Sequence, residues 1–310
     1  MEVVVIIVNY LLVFVLVLVS VAFITLLERK ILGSSQIRVG PNFVGYWGVL
    51  QPFSDAIKLF TKETTMLMSS NVFVYLISPL FSLSLMLVVW ILYPFFSGGI
   101  VFVFSLMFFI SISGLSVYPI ISSGWSSNCK YSILGSLRAV AQMVSYEVSL
   151  IMVLLSIIWV NSSFNLDKIL FVQGIVYNFF FFLPLGMIWL VSMLAETNRT
   201  PYDFSEGESE LVSGFNTEYG AGGFSLIFMA EYGNILFMSL LFVILFLGND
   251  SSTWSLFKTM VITFWFIWVR ATLPRYRYDK LMGLAWKSFL PITLFSFMFY
   301  YLLGHLCVFY

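Results

Sequence analysis

The chain has 310 residues, of which 60% are hydrophobic and 19% aromatic, while 10% are charged. Soluble domains carry about 25% charged residues, so these figures exclude a soluble globular protein and point to an integral membrane protein. The 15 Lys and Arg balance the 15 Asp and Glu; any electrostatic role must come from where charges sit, and nucleic acid is not expected as a partner.

A membrane-crossing helix needs about 20 apolar residues. Val3 to Leu27 carries no charge and stops at Glu28-Arg29-Lys30, which makes span one. It lacks a basic n-region and runs past signal length, so it reads as a span and not as a cleavable signal. Pro41 to Glu63 is too polar to cross. There Phe43, Trp47, Leu50, Phe53, Ile57 and Phe60 recur at helical spacing, with Gln51, Asp55, Lys58 and Lys62 on the other side. This predicts an amphipathic helix on the membrane surface, kinked into two pieces at Pro52, with Asp55 toward the basic cluster of Arg29, Arg38 and Lys58.

From Thr64 to Cys129 no residue is charged, and the breakers Pro94 and Gly98-Gly99 divide this stretch into spans at 72–93 and 100–121. Further spans are predicted at 140–160, 175–195, 224–247, 255–273 and 288–308. The expected fold is therefore all-α and polytopic, with eight transmembrane helices plus the surface helix after the first span. The whole chain, 1–310, forms one membrane domain, with a lateral helix at 41–62 and an acidic loop at 196–223. Of the 15 bases, all but Lys168 and Lys258 fall in the odd-numbered loops. That puts both termini on the face opposite the insertion side.

Ionisable residues at membrane depth are costly and are candidate functional groups. Glu147 follows Tyr146 inside the fourth span, Glu196 closes the fifth, and Glu231 precedes Tyr232 in the sixth. A neutral carboxyl tying two helices together is the structural alternative. Seven of the 15 acids, Glu196, Asp203, Glu206, Glu208, Glu210, Glu218 and Glu231, fall within 36 positions beside a single base, Arg199. Crowded carboxylates in a low dielectric titrate as a coupled set, as a proton path requires. A solvated acidic loop is the plainer reading. Gly207, Gly214, Gly220, Gly222 and Gly223 predict irregular backbone lining a cavity or buried in protein.

Cys129, Cys307 and His305 are too few to hold an iron-sulfur cluster or a closed zinc site, which need about four ligands. Any redox centre would lie on another chain. The predicted topology puts the two cysteines on opposite faces, beyond disulfide reach, and His305 in the last helical turn. Asn161, Asn198 and Asn249 begin short glycosylation-like patterns, which are common by chance. No Walker loop, dinucleotide fingerprint or nucleophile elbow is present.

The strings LLERKILG (26–33), QIRVGPN (36–42), QPFSDAIKLFTKE (51–63), GSLRAVAQMVSYEVSL (135–150), AETNRTPYDFSEGESELVSGFNTEYG (195–220), FMAEYGN (228–234) and RATLPRYRYDKLM (270–282) closely resemble the chain 1 family of respiratory NADH:ubiquinone oxidoreductase, complex I, in its animal mitochondrial form. The resemblance runs in order from Leu26 to about Pro291. It implies a mitochondrial inner-membrane subunit with both termini on the intermembrane-space side. Ubiquinone would be its bound substrate, with no metal, flavin or iron-sulfur cluster on the chain. Implied partners are two hydrophilic subunits forming the quinone headgroup pocket, one bearing the terminal iron-sulfur cluster, the neighbouring membrane chains 3, 6 and 4L, and membrane lipid. By motif, Arg29, Asp55, Arg199, Phe224, Arg275 and Arg277 match the quinone tunnel. Glu147, Glu196, Asp203, Glu206, Glu208, Glu210, Glu218 and Glu231, with Arg138 and Tyr146 beside them, match the acidic channel toward the proton-pumping subunits. The pattern departs at Val39, where relatives commonly have Lys. Two alternatives remain: the quinone-independent counterpart in a membrane-bound hydrogenase, separated by an assay of ubiquinone dependence, and a stand-alone proton-coupled transporter, separated by particle size in mild detergent. Transporters often carry inverted repeats, and the acidic loop has no counterpart elsewhere in the chain.

Overall fold

A computed structural model of the chain describes residues 2–65, 68–95, 99–173, 177–204, 207, 212–248 and 252–308. Glu206, Glu208 and Glu210, the breaker Gly98, the Asn249 pattern and the side chain of Cys307 lie outside the described residues. The described elements are all helical, and six of these helices are long and apolar enough to cross a membrane.

In chain order the helices are α1 (Glu2–Ser35), α2 (Gln51–Thr61), α3 (Val72–Val89, with a 3-10 turn to Leu92), α4 (Ser105–Leu115), α5 (Val117–Ser126), α6 (Lys130–Asn161), α7 (Leu166–Val172), α8 (Asn178–Phe181) and α9 (Leu183–Glu196). After the loop come α10 (Ala221–Phe242, widened into a π-helical turn at Val243–Leu247), α11 (Ser252–Thr272), α12 (Tyr278–Gly283, followed by π-helical residues Leu284–Phe289) and α13 (Leu290–Val308). The six long apolar helices are Val3–Ser35, Val72–Leu92, Ser105–Ser126, Lys130–Asn161, Ala221–Leu247 and Tyr278–His305. The other two predicted spans correspond to α9, a shorter apolar helix of 14 residues, and to α11, which carries Lys258 and Arg270.

Helices α6 and α1 outrun the predicted spans, and some of the polar residues in the added turns are covered by protein. Helix α6 begins at Lys130, well before the predicted 140. Its first turns bury Ser132 and Ser136, and the Ser132 hydroxyl donates to the Phe215 carbonyl. Helix α1 continues to Ser35 past Glu28, itself 6% exposed. In the segment after α1, a 3-10 turn at Tyr46–Gly48 precedes α2. Pro52 does not kink a helix; it occupies the first turn of α2, where its missing N–H costs no helical bond.

Between lipid-facing helices there is little hydrophobic driving force, so close packing and internal hydrogen bonds must hold the bundle. In their most apolar 18-residue stretches, 83% of the residues of Ala221–Leu247 are buried, against 11% for Val3–Ser35, which makes α10 the central post of the fold. It packs against α1, α2, α3 and α11, while α6 packs against α5, α9 and α13. At the far end of α10 the π turn frees backbone carbonyls. The Gln173 side-chain amide donates to Ile244 and Leu245, Asn178 to Leu245, and the Lys258 ammonium to Leu247. Many serines in the spans, such as Ser82, Ser149 and Ser156, donate to carbonyls of their own helix and so place no unpaired hydroxyl in the bilayer.

At Gly135 of α6 the loop before α10 comes so close that an added Cβ would lie 2.9 Å from the Cα of Gly214. That contact is with backbone and cannot be relieved by a rotamer change. Gly135→Val is therefore expected to destabilise by roughly 1–3 kcal/mol, read as loss of the folded subunit on native gels. Tyr131→Phe on the exposed side of the same helix serves as the silent comparison.

Candidate functional site

The site begins where α9 ends. Asn198 takes a left-handed conformation (φ 50°), its N–H bonds the Ala195 carbonyl at 3.4 Å, and the Arg199 N–H bonds the Leu194 carbonyl at 3.1 Å. This paired closure is a recurrent way to end a helix, and Asn is one of the few non-glycine residues that tolerate it. The chain reverses here and turns Arg199 toward α10. Its guanidinium lies 3.6 Å from the Glu231 carboxylate and 4.3 Å from the centroid of the Tyr232 ring.

Tyr232 joins this pair to a second one. Its hydroxyl donates at 2.5 Å to Glu28 of α1, and the other Glu28 oxygen accepts from Arg270 of α11. Glu28 is 6% exposed, whereas the Arg270 side chain is 37% exposed. A third pair, Asp203 with Arg275 at 3.3 Å, ties the loop to the segment before α12. There Tyr202 stacks on Tyr276 with centroids 5.6 Å apart, and the Tyr276 N–H donates to the Pro201 carbonyl. Burial, and then the neighbouring Tyr276 phenol, push the Tyr202 hydroxyl up to about 12, so it stays a neutral donor through the physiological range.

Beside Glu231 lies a cavity of about 100 Å³, bounded by α3, α4, α5, α6, α9 and α10. Glu196, Asn198, Glu231 and Asn234 line it together with serines of α3, α4 and α5. Such a volume exceeds the ~10–15 Å³ needed for one water molecule. The Glu196 Oε2 and Asn198 Oδ1 atoms are buried without a hydrogen-bond partner among the described residues, so they offer acceptors to a small polar guest. Glu147 approaches from α6 and accepts from the Ser113 hydroxyl at 3.4 Å; Ser113 lines the same cavity.

The structure thus brings Glu147, Glu196, Arg199 and Glu231 to one region, with Asp203 and Arg275 paired along the loop. The remaining predicted residues stand elsewhere. Tyr146 is fully buried and donates to the Leu281 carbonyl, and Arg138 lies over the Tyr278 ring at 6.0 Å. Glu218 offers its carbonyl to the Tyr75 hydroxyl, and Tyr75 stacks on Tyr219 at 4.3 Å. Phe224 packs on Phe228. Arg29 bonds Asp55 at 2.6 Å, with Gln51 on the other carboxylate oxygen; of the three bases expected around Asp55 it is Arg29 that pairs with it, while Arg38 bonds Gln36. Arg277 is exposed and pairs with Asp279. Sequence reasoning passed over Glu28, Gln142 and Arg270. Glu28 looked like the flank of a span, and only its partner 242 positions away reveals it as buried. Among the described residues no three of His, Cys, Asp and Glu stand close enough to hold a metal ion.

A family model described as NADH dehydrogenase matches residues 8–301. The chain belongs to that family. Similar curated proteins carry the name NADH-ubiquinone oxidoreductase chain 1. That of Anopheles gambiae is 57% identical over 286 residues, covering 92% of this chain and 91% of the relative. That of Locusta migratoria is 53% identical, covering 95% and 94%, and that of Monodelphis domestica is 50% identical, covering 93% of each. The family is thus the one whose motifs the sequence resembles.

The asymmetric exposure of the Glu28–Arg270 pair yields a test. Arg270→Leu leaves a buried carboxylate with one neutral partner, at a cost of about 3–5 kcal/mol. Glu28→Leu leaves a cation that can reach outward and costs less. Subunit abundance on native gels is expected to fall further for Arg270→Leu, and the double variant to recover part of that loss.

Proposed function

We propose that this chain is a core membrane subunit of respiratory complex I in the mitochondrial inner membrane. It crosses the membrane eight times with both termini on the intermembrane-space side, and α2 lies along the surface as an amphipathic helix. It forms the membrane part of the ubiquinone tunnel and couples quinone reduction to proton translocation through buried carboxylates. The carrying observation is that Glu196 and Glu231, from different helices, face one cavity while the loop residue Arg199 holds Glu231.

Quinone reduction takes up two protons and places negative charge in its pocket. An arginine shared between a carboxylate and an aromatic ring responds to such charge by shifting between partners, which changes the proton affinity of the carboxylate it leaves. Arg199, on the loop side, and Glu231, on the cavity side, are arranged for that exchange. Glu147 and Glu196 would carry the change toward neighbouring membrane chains, and Glu206, Glu208, Glu210 and Glu218 would extend the acidic path along the loop, with Arg138 and Tyr146 beside it. Arg29 with Asp55, Arg199, Phe224, Arg275 and Arg277 are assigned to the tunnel and to ordering of the loop, and Asp203, paired with Arg275, belongs to the acidic path. The substrate would be ubiquinone, with the electrons supplied from an iron-sulfur cluster on a hydrophilic partner subunit. The partners would be the two hydrophilic subunits, membrane chains 3, 6 and 4L, and lipid. High identity to proteins named for ubiquinone reduction favours this reading over a hydrogenase subunit or a stand-alone transporter.

Glu231→Gln and Glu196→Gln in the assembled enzyme test the coupling. Each is expected to lower NADH:ubiquinone reductase on the order of tenfold, about 1.4 kcal/mol in barrier. NADH oxidation by a water-soluble acceptor that bypasses the quinone should be unchanged. Retention of full quinone reduction and full proton pumping in both variants would overturn the coupling role.

A further inference from the structure

Gln142 sits on α6 with its side chain fully buried, next to Met143, which lines the cavity. Its amide Nε2 donates at 2.8 Å to the Ala195 carbonyl and at 2.8 Å to the Tyr202 carbonyl. Both partners are acceptors, so the nitrogen, with its two hydrogens, must be the atom placed there. Each carbonyl already has a donor within its own segment: Ala195 takes the Asn198 N–H and Tyr202 takes the Phe204 N–H. Gln142 is therefore not needed to rescue an orphan carbonyl. It links the start of the helix-ending turn to a point beyond it, and so brackets residues 196–201.

That bracketed segment carries Glu196, which faces the cavity, and Arg199, which holds Glu231. The Gln142 Oε1 is buried with no hydrogen-bond partner among the described residues. A leucine of similar volume would fill the same space but could make neither bond. What the amide adds beyond packing is therefore the fixed separation of the Ala195 and Tyr202 carbonyls. We propose that Gln142 is a positioning residue of the coupling site, acting through the segment 196–201 to set where Glu196 and Arg199 stand; this rests on the function proposed above.

The test uses membranes containing the assembled complex, with rates expressed per assembled complex. Gln142→Leu is expected to lower quinone-linked turnover roughly 5- to 10-fold, as for loss of one or two hydrogen bonds, and to reduce protons pumped per electron. NADH oxidation by the water-soluble acceptor should stay at the wild-type rate. Placed on Glu196→Gln, it should cost clearly less than it does alone, because the two act on one geometry. Wild-type turnover and pumping in Gln142→Leu, or losses that multiply independently with those of Glu196→Gln, would refute the proposal. If Gln142→Leu does not assemble, Gln142→Glu keeps the shape and offers one donor when neutral. It is expected to give a partial loss, and either wild-type behaviour or failure to assemble counts against a positioning role. Should Glu196→Gln and Glu231→Gln themselves be silent, the coupling function falls and this inference with it. If those two respond while Gln142→Leu does not, the Gln142 inference alone fails.

Discussion

A carboxylate between packed helices has no bulk water to solvate it, and this constraint organises the interior of the protein. Burying an ion costs several kcal/mol unless a partner and further hydrogen bonds compensate. Glu28 therefore receives Arg270 and the Tyr232 hydroxyl, Glu231 receives Arg199, and Asp203 receives Arg275. In every case the arginine comes from a distant part of the chain, so charge pairing and helix placement are a single problem. Tyr232 stands at the junction, bonded to one acid through its hydroxyl and covered by the other pair's arginine on its ring. Displacing α1, α10 or α11 would disturb this junction.

The loop before α10 is shaped by the same scarcity of water. Its first turn closes on its own backbone through Asn198, the Tyr202 that follows is held by Gln142 and stacked on Tyr276, and its last residues rest on Tyr75. Irregular backbone at this depth is tolerable when protein supplies its partners. Here α3, α6 and the segment before α12 share that task. Among the described acids of the loop, Asp203 directly follows Tyr202 and Glu218 bonds Tyr75 through its carbonyl, so both stand beside these contacts.

Much of the fold was legible in the sequence because lipid imposes long uncharged runs. Span one and the stretch 72–93 stand out by composition alone, and the breaker at Pro94 falls in a non-helical segment. Boundaries were less legible, since α6 and α1 continue past the apolar stretch into polar residues, some of them, such as Ser132 and Glu28, covered by other parts of the chain. Glu147, Glu196 and Glu231 were found because a lone acid in an apolar run is conspicuous. Glu28 and Gln142 were missed for the opposite reasons. Glu28 sits among charges at a helix end and looks solvated, and an uncharged amide in a span attracts no notice. Only tertiary pairing separates either residue from its surroundings. The family motifs pointed to the acidic loop, whose cluster Glu206, Glu208 and Glu210 lies outside the described residues.

At the far end of α10, Gln173, Asn178 and Lys258 converge from three separate segments on the carbonyls of one widened turn. Sliding this helix along its axis would break these bonds together, each worth about 1 kcal/mol net. One extremity of the post is thus moored by uncharged and cationic donors, while the other continues into the loop and Glu231 stands about halfway along. Axial slippage of α10 is thereby opposed at the extremity remote from the loop.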